Sequence, residues 1–204
     1  MKKHMLISCL VLSCSFLSVT PVMAEKVIAQ PVIAKSAVTD VKQQHSADPT
    51  QIKNINKNNL ISLVLEAEKR YFYTNIGGSG NGTQKMEVFT LEGREYRYLS
   101  SDIGTHEKLL GYLMKTFTRK ASEKYIKERF IEHKGRMAQL NADKGNLLEY
   151  GKATVKLIKK SSTTREYKLT IPYPENQAKP EIETIKVKKV NGVWRIATPP
   201  EPFF

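Results

Sequence analysis

Cys9 and Cys14 are the only thiols in this 204-residue chain, so a cysteine nucleophile, a disulfide or a thiolate metal site would have to come from them. Both lie ahead of Val22-Met23-Ala24, an A-x-A-like cleavage site that follows a basic Lys2-Lys3-His4 start and an apolar stretch from Met5 to Val19. That layout reads as a secretory signal peptide, too short and wrongly flanked for a membrane span. Residues 1–24 are expected to be removed, and the exported chain then starts near Glu25 without a thiol. Leu6-Ile7-Ser8-Cys9 also has the residue types of a lipoprotein box, but the apolar run before it is short and continues after it. Other reactive groups are sparse. His45, His106 and His133 have no partner at metal-ligand spacing and no H-E-x-x-H is present, so no metal and no cofactor are expected. There is no G-x-S-x-G elbow, and only a Ser–His–Asp triad gathered from distant positions stays open. Gly77-Gly78-Ser79-Gly80-Asn81-Gly82 has the glycines of a phosphate cradle. It lacks a G-K-[ST] ending and follows a helix pattern, which leaves a flexible connection or a binding loop.

Two polar features remain. Lys2 and Lys3 are the only charged side chains before Glu25, so nearly all of the formal +13 stays with the exported chain. Long-range attraction would concentrate such a protein among anions. On strands expected at Ala153–Lys160 and Arg165–Ile171, Val155, Leu157, Tyr167, Leu169 and Ile171 face inward. Lys152, Lys156 and Lys168 then face out, with Lys186, Lys188 and Arg195 nearby. This face is either simply solvated or a site for anionic cell-wall polymer. It has no interleaved aromatics on which bases could stack, so nucleic acid is not an expected partner. The second feature is Asn141-Ala142-Asp143-Lys144-Gly145, a polar loop with an isolated carboxylate between two sheet segments. It reads either as an Asx turn or as a projecting recognition loop.

The elements that must hold these features follow from periodicity. Residues 25–57 lack aromatics and any sustained apolar period, and are expected to form a disordered tether. A single domain, 58–204, follows, with its first helix capped at Asn58–Asn59 and an apolar stripe at Leu60, Leu63, Val64, Ala67 and Tyr71. Thr105 or Asp102 caps a second helix that buries Leu109, Leu110, Leu113 and Phe117. A third runs from Thr118 to Arg129 with Ala121, Tyr125 and Phe130 inward. Hairpins are expected at Glu92-Gly93, around His133-Lys134-Gly135 and at Asn191-Gly192. The fold class is α+β: N-terminal helices packed with antiparallel β-sheet hairpins.

With these residues laid out, the chain resembles the IseA family of secreted DL-endopeptidase inhibitors of Bacillus-type bacteria. The resemblance rests on Tyr71-Phe72-Tyr73-Thr74-Asn75-Ile76-Gly77-Gly78-Ser79-Gly80-Asn81-Gly82, Tyr96-Arg97-Tyr98-Leu99-Ser100-Ser101-Asp102, Thr116-Phe117-Thr118, Asn141-Ala142-Asp143 and Val193-Trp194-Arg195-Ile196. It implies a protein at the cell surface, with a helical head and a β-rich stem, that is not an enzyme. Its implied partners are NlpC-type cysteine autolysins, which cut the γ-D-glutamyl–diaminopimelate bond of peptidoglycan. The loop that enters their cleft would be Asn141–Gly145, with Gly77–Gly82 as the second candidate. The chain departs from the family pattern at Lys144, where glycine is usual. A cationic residue there bears on loop mobility and on choice of target.

Overall fold

The computed structural model describes residues 48–79, 87–142 and 145–204. The expected signal peptide and the expected tether ahead of Asp48 lie outside these, as do residues 80–86, Asp143 and Lys144.

One helix, a hairpin and two further helices come first. In α1 (Lys57–Asn75) the cap is Asn56, earlier than the expected Asn58–Asn59. Asn56 Oδ1 accepts from Asn59 N at 3.0 Å and Asn59 Oδ1 accepts from Asn56 N at 2.7 Å, so Asn59 is the reciprocal member of a capping box. Leu60, Leu63, Val64, Ala67 and Tyr71 are all buried, as their spacing requires. Thr105, the first of the two candidate caps, starts α2 (His106–Leu113), and Thr118 starts α3 (Arg119–Arg129). The sheets are two antiparallel sets of four. β1 (Val88–Leu91), β2 (Arg94–Tyr98), β3 (Phe130–His133) and β4 (Arg136–Leu140) pair in the order β1-β2-β4-β3. β5 (Thr154–Lys160), β6 (Thr164–Ile171), β7 (Glu181–Val190) and β8 (Val193–Ile196) pair in chain order. Glu92-Gly93, Lys134-Gly135 and Asn191-Gly192 each hold two residues at positive φ, the twist that a two-residue hairpin needs. The α+β class expected from periodicity is what the structure shows.

A single apolar cluster runs from the helices into β6, β7 and β8. The backbone ties these parts together: Ile196 N donates to Thr116 O and Thr118 N to Ile196 O, both at 2.8 Å. Packing begins before the boundary expected at Asn58. Ile52 and Ile55 are buried, and Trp194 donates from its backbone N to Ile52 O at 2.9 Å and from Nε1 to Lys53 O at 3.2 Å. Two isolated apolar residues in a polar stretch carry no period, so only their distant partners, Trp194 for Ile52 and Arg165 for Ile55, reveal their place. Leu157 corrects another expectation. It is 39% exposed, because β5 is the edge strand of its sheet and its register shifts between Leu157 and Lys159. Val155 is half-buried against the core, while Tyr167, Leu169 and Ile171 are fully inside.

Candidate functional site

Arg97 is buried on β2 and pairs in register with Gln139 of β4. Both side chains reach the carbonyl of Asn75, the last residue of α1: Gln139 Nε2 donates to it at 2.6 Å, and Arg97 Nη2 donates to the same oxygen. The last carbonyls of a helix have no intrahelical donor and carry its negative end, so a buried guanidinium is well placed there. Tyr125 of α3 adds a third strut, its hydroxyl donating to Asn75 Oδ1 at 3.1 Å. From the same guanidinium, Nη2 reaches Ala142 O at 3.3 Å and Nη1 reaches Asn141 Oδ1 at 3.5 Å. Asn141 is held further by Glu95, whose backbone O accepts from Asn141 N at 2.9 Å and whose carboxylate accepts from Asn141 Nδ2. One arginine thus fixes the root of the Asn141–Gly145 loop and the residue that opens the glycine loop. The two candidate loops, 66 positions apart in the chain by their first described anchors Asn75 and Asn141, leave from one hub. The structure describes Asn141, Ala142 and Gly145 of the predicted set; Asp143 and Lys144 lie outside the described residues.

The root of the glycine loop is equally constrained. Gly78 N donates to Tyr73 O at 2.8 Å and Ser100 N donates to Gly77 O at 2.8 Å. Gly78 has φ +93°, and a Cβ there would stand 2.1 Å from Ser100 Oγ and 2.9 Å from Ile103 Cγ1. Conformation and space both demand glycine. Gly78→Ala is expected to lower unfolding free energy by about 2 kcal/mol, read from urea denaturation. Asp102 accepts from Tyr73 Oη and from Ser100 Oγ. Burial alone would raise its pKa, but these hydrogen bonds more than reverse that, and its carboxyl sits below the ordinary 3.8. A depressed folded-state pKa contributes stability that is present above the unfolded value and lost as pH falls through the folded one. Thermal melting between neutral pH and acid should therefore show a steeper loss below pH 3.8 in the wild type than in Asp102→Asn.

Exposed apolar side chains flank both loop roots. Ile76, which follows the hub residue, is 55% exposed, Leu140 on the other root is 40% exposed, and Leu147 beyond Gly145 is 67% exposed. The two described histidines are engaged with neighbours of their own. His133 stacks on Phe89 with ring centroids 4.1 Å apart and its Nδ1 bonds Tyr98 Oη, while His106 Nε2 lies 3.2 Å from Glu123 Oε2. Among the described residues no three His, Cys, Asp or Glu side chains converge as a metal set. No helix among them is long and apolar enough to cross a membrane.

The lysine face also takes shape. Lys156 stands directly opposite Lys168 and Lys188 opposite Arg195, while Glu166 pairs with Lys186 at 3.2 Å and Glu149 with Lys152 at 2.7 Å. Arg195 is on this face by register, but its guanidinium folds away to Met114 O at 3.0 Å and Thr50 O at 2.8 Å. Sequence reading named Arg97 only within a string of residues that carries the family resemblance and gave it no role. Phase gave no signal either, because Arg97 and Tyr98 point to opposite faces of β2 and both are buried.

The fold is an α+β domain in which the roots of two loops share one buried arginine. The chain belongs to the IseA DL-endopeptidase inhibitor family, whose model matches residues 51–200. It is also similar to the uncharacterized protein YoeB of Bacillus subtilis (strain 168), at 30% identity over 148 residues that make up 70% of this chain and 81% of that protein.

Proposed function

We propose that this chain is an exported inhibitor of NlpC-type peptidoglycan DL-endopeptidases, acting at the cell surface by placing Asn141–Gly145 in the enzyme's cleft. The observation that carries this reading is the Arg97 hub, which roots that loop and the glycine loop together among exposed apolar side chains. A loop held at its base loses little further entropy on docking, so more of the contact energy appears as affinity. The target cleft handles acidic stem peptides, and Asp143 supplies a carboxylate without a scissile bond behind it. The test mixes the protein with a purified NlpC-type endopeptidase and follows lysis of purified wall. Protection at near-stoichiometric ratios, with no lysis by the protein alone, supports the reading; unprotected lysis defeats it.

A second reading concerns the lysine face, and the register favours it. Like charges directly opposite on neighbouring strands weaken a sheet, so Lys156 facing Lys168 is a small standing cost that a bound polyanion would relieve. Attachment to anionic wall polymer through this face would bring the inhibitor to wall-bound enzymes. Retention on purified wall should then fall steeply with added salt, and Lys156→Glu with Lys168→Glu should abolish it.

A further inference from the structure

Glu107, Gly111 and Lys115 stand at i, i+4 and i+8 along α2 and the helical turn that continues it at Met114. They share one side of the helix, and at about 1.5 Å per residue the first and last of their Cα atoms lie roughly 12 Å apart along it. A groove of about 520 Å³ opens on this side, floored by Leu110, Gly111 and Met114 and bordered by Arg119 and Arg195. A second hollow of about 380 Å³ continues past Lys115 and Arg195, which line both. Neither shares a residue with the two loops.

Gly111 is the informative residue. Inside a helix, glycine costs about 1 kcal/mol relative to alanine. Nothing in the fold requires it: a Cβ at Gly111 meets no atom within 4 Å, and its φ is not positive. What the missing side chain does is keep the middle of the groove floor clear. The charges point the same way. Neighbouring ions are paired, Arg119 with Glu123 at 3.3 Å and Arg70 with Glu66 at 2.6 Å. Glu107 has no ion-pair or hydrogen-bond partner among the described residues, and the Lys115 ammonium only looks on the Tyr112 ring from 6.0 Å. Arg195 spends Nε and Nη1 on backbone carbonyls, whereas Nη2 makes no hydrogen bond and is not sealed from solvent. The clear floor therefore has an unpaired carboxylate at one end and, at the other, the unpaired Lys115 ammonium beside an Arg195 guanidinium that keeps one amino group open and has Asp48 as its nearest counter-charge.

We propose that this groove binds a short peptide with both ends free, its ammonium at Glu107, its carboxylate at Lys115 and Arg195, and a small apolar side chain over Gly111. A span of roughly 12 Å takes an extended chain of about four residues. The carboxylate would receive charge-assisted hydrogen bonds from the Arg195 Nη2 and the Lys115 ammonium. A peptide of this kind is what peptide-bond hydrolysis releases, so the site would let the protein respond to products of peptidase action.

The test is an NMR titration of the full chain with the free tetrapeptide Ala-Leu-Ala-Ala, alongside its N-acetyl and C-amide forms. Saturable binding of the free peptide is expected, weakened about tenfold or more by blocking either end. Gly111→Leu should abolish binding, and Lys115→Glu, an exposed change that leaves packing alone, should weaken it about tenfold. Gly111→Ala should fold with an equal or higher melting temperature. No saturable binding, binding indifferent to both blocking groups, or binding unchanged in Gly111→Leu and Lys115→Glu would each overturn the proposal.

Discussion

Asp143→Lys should leave the protein folded and weaken inhibition of an NlpC-type endopeptidase by more than about tenfold, roughly 1.4 kcal/mol. The substitution reverses the one carboxylate in the loop, next to Lys144. If the cleft accepts acidic stem peptides, a cation presented there meets like charge, and a charge reversal at close range costs more than loss of a contact. Inhibition constants from wall-lysis rates, with circular dichroism melting as the control for folding, give the comparison. Unchanged inhibition by the folded variant would remove Asn141–Gly145 from the mechanism and move attention to Gly77–Gly82. Asp143→Asn separates the two effects, because it removes the charge while keeping size and hydrogen-bonding capacity.

The larger effect on stability is expected at Arg97. Arg97→Met keeps the aliphatic stem but deletes the donors to Asn75 O and Ala142 O. Charge-assisted hydrogen bonds in a buried site are worth about 1.5–3 kcal/mol, so a loss of roughly 3 kcal/mol in unfolding free energy is expected. Inhibition should fall as well, at temperatures where the variant is still folded, because both loops lose their common root. Arg97→Lys should recover part of the stability and little of the inhibition, since an ammonium cannot serve α1 and the Asn141 loop in the forked geometry of a guanidinium. A folded Arg97→Met protein that inhibits like the wild type would show that the hub does not set the loops.

These two residues also show what was legible in the chain. The tight hairpins were, because Asn191-Gly192 and Glu92-Gly93 carry their turn chemistry in two adjacent residues. So were the helix stripes and the Thr105 cap, which are local signals. Asn141–Gly145 could be found as a loop, but its attachment could not. Arg97 looks in sequence like one more solvated cation in a basic chain; only the pairing of β2 with β4 turns it inward onto the end of α1. Ile52 and Ile55 were hidden for a related reason, since the residues that tie them down, Trp194 and Arg165, lie far along the chain. Leu157 failed in the opposite sense. Alternation assigned it to the core, and its position on an edge strand left it in water. Contacts between distant segments decide each of these cases, and no local pattern encodes them.

Whether the loops fill a peptidase cleft is read most directly from the alkylation rate of the peptidase's catalytic cysteine, followed by mass spectrometry with and without this protein. Equimolar protein should shield that cysteine, and Asp143→Lys should restore its reactivity in step with lysis. A cysteine that stays fully reactive while lysis is suppressed would place the contact elsewhere and contradict cleft occupation.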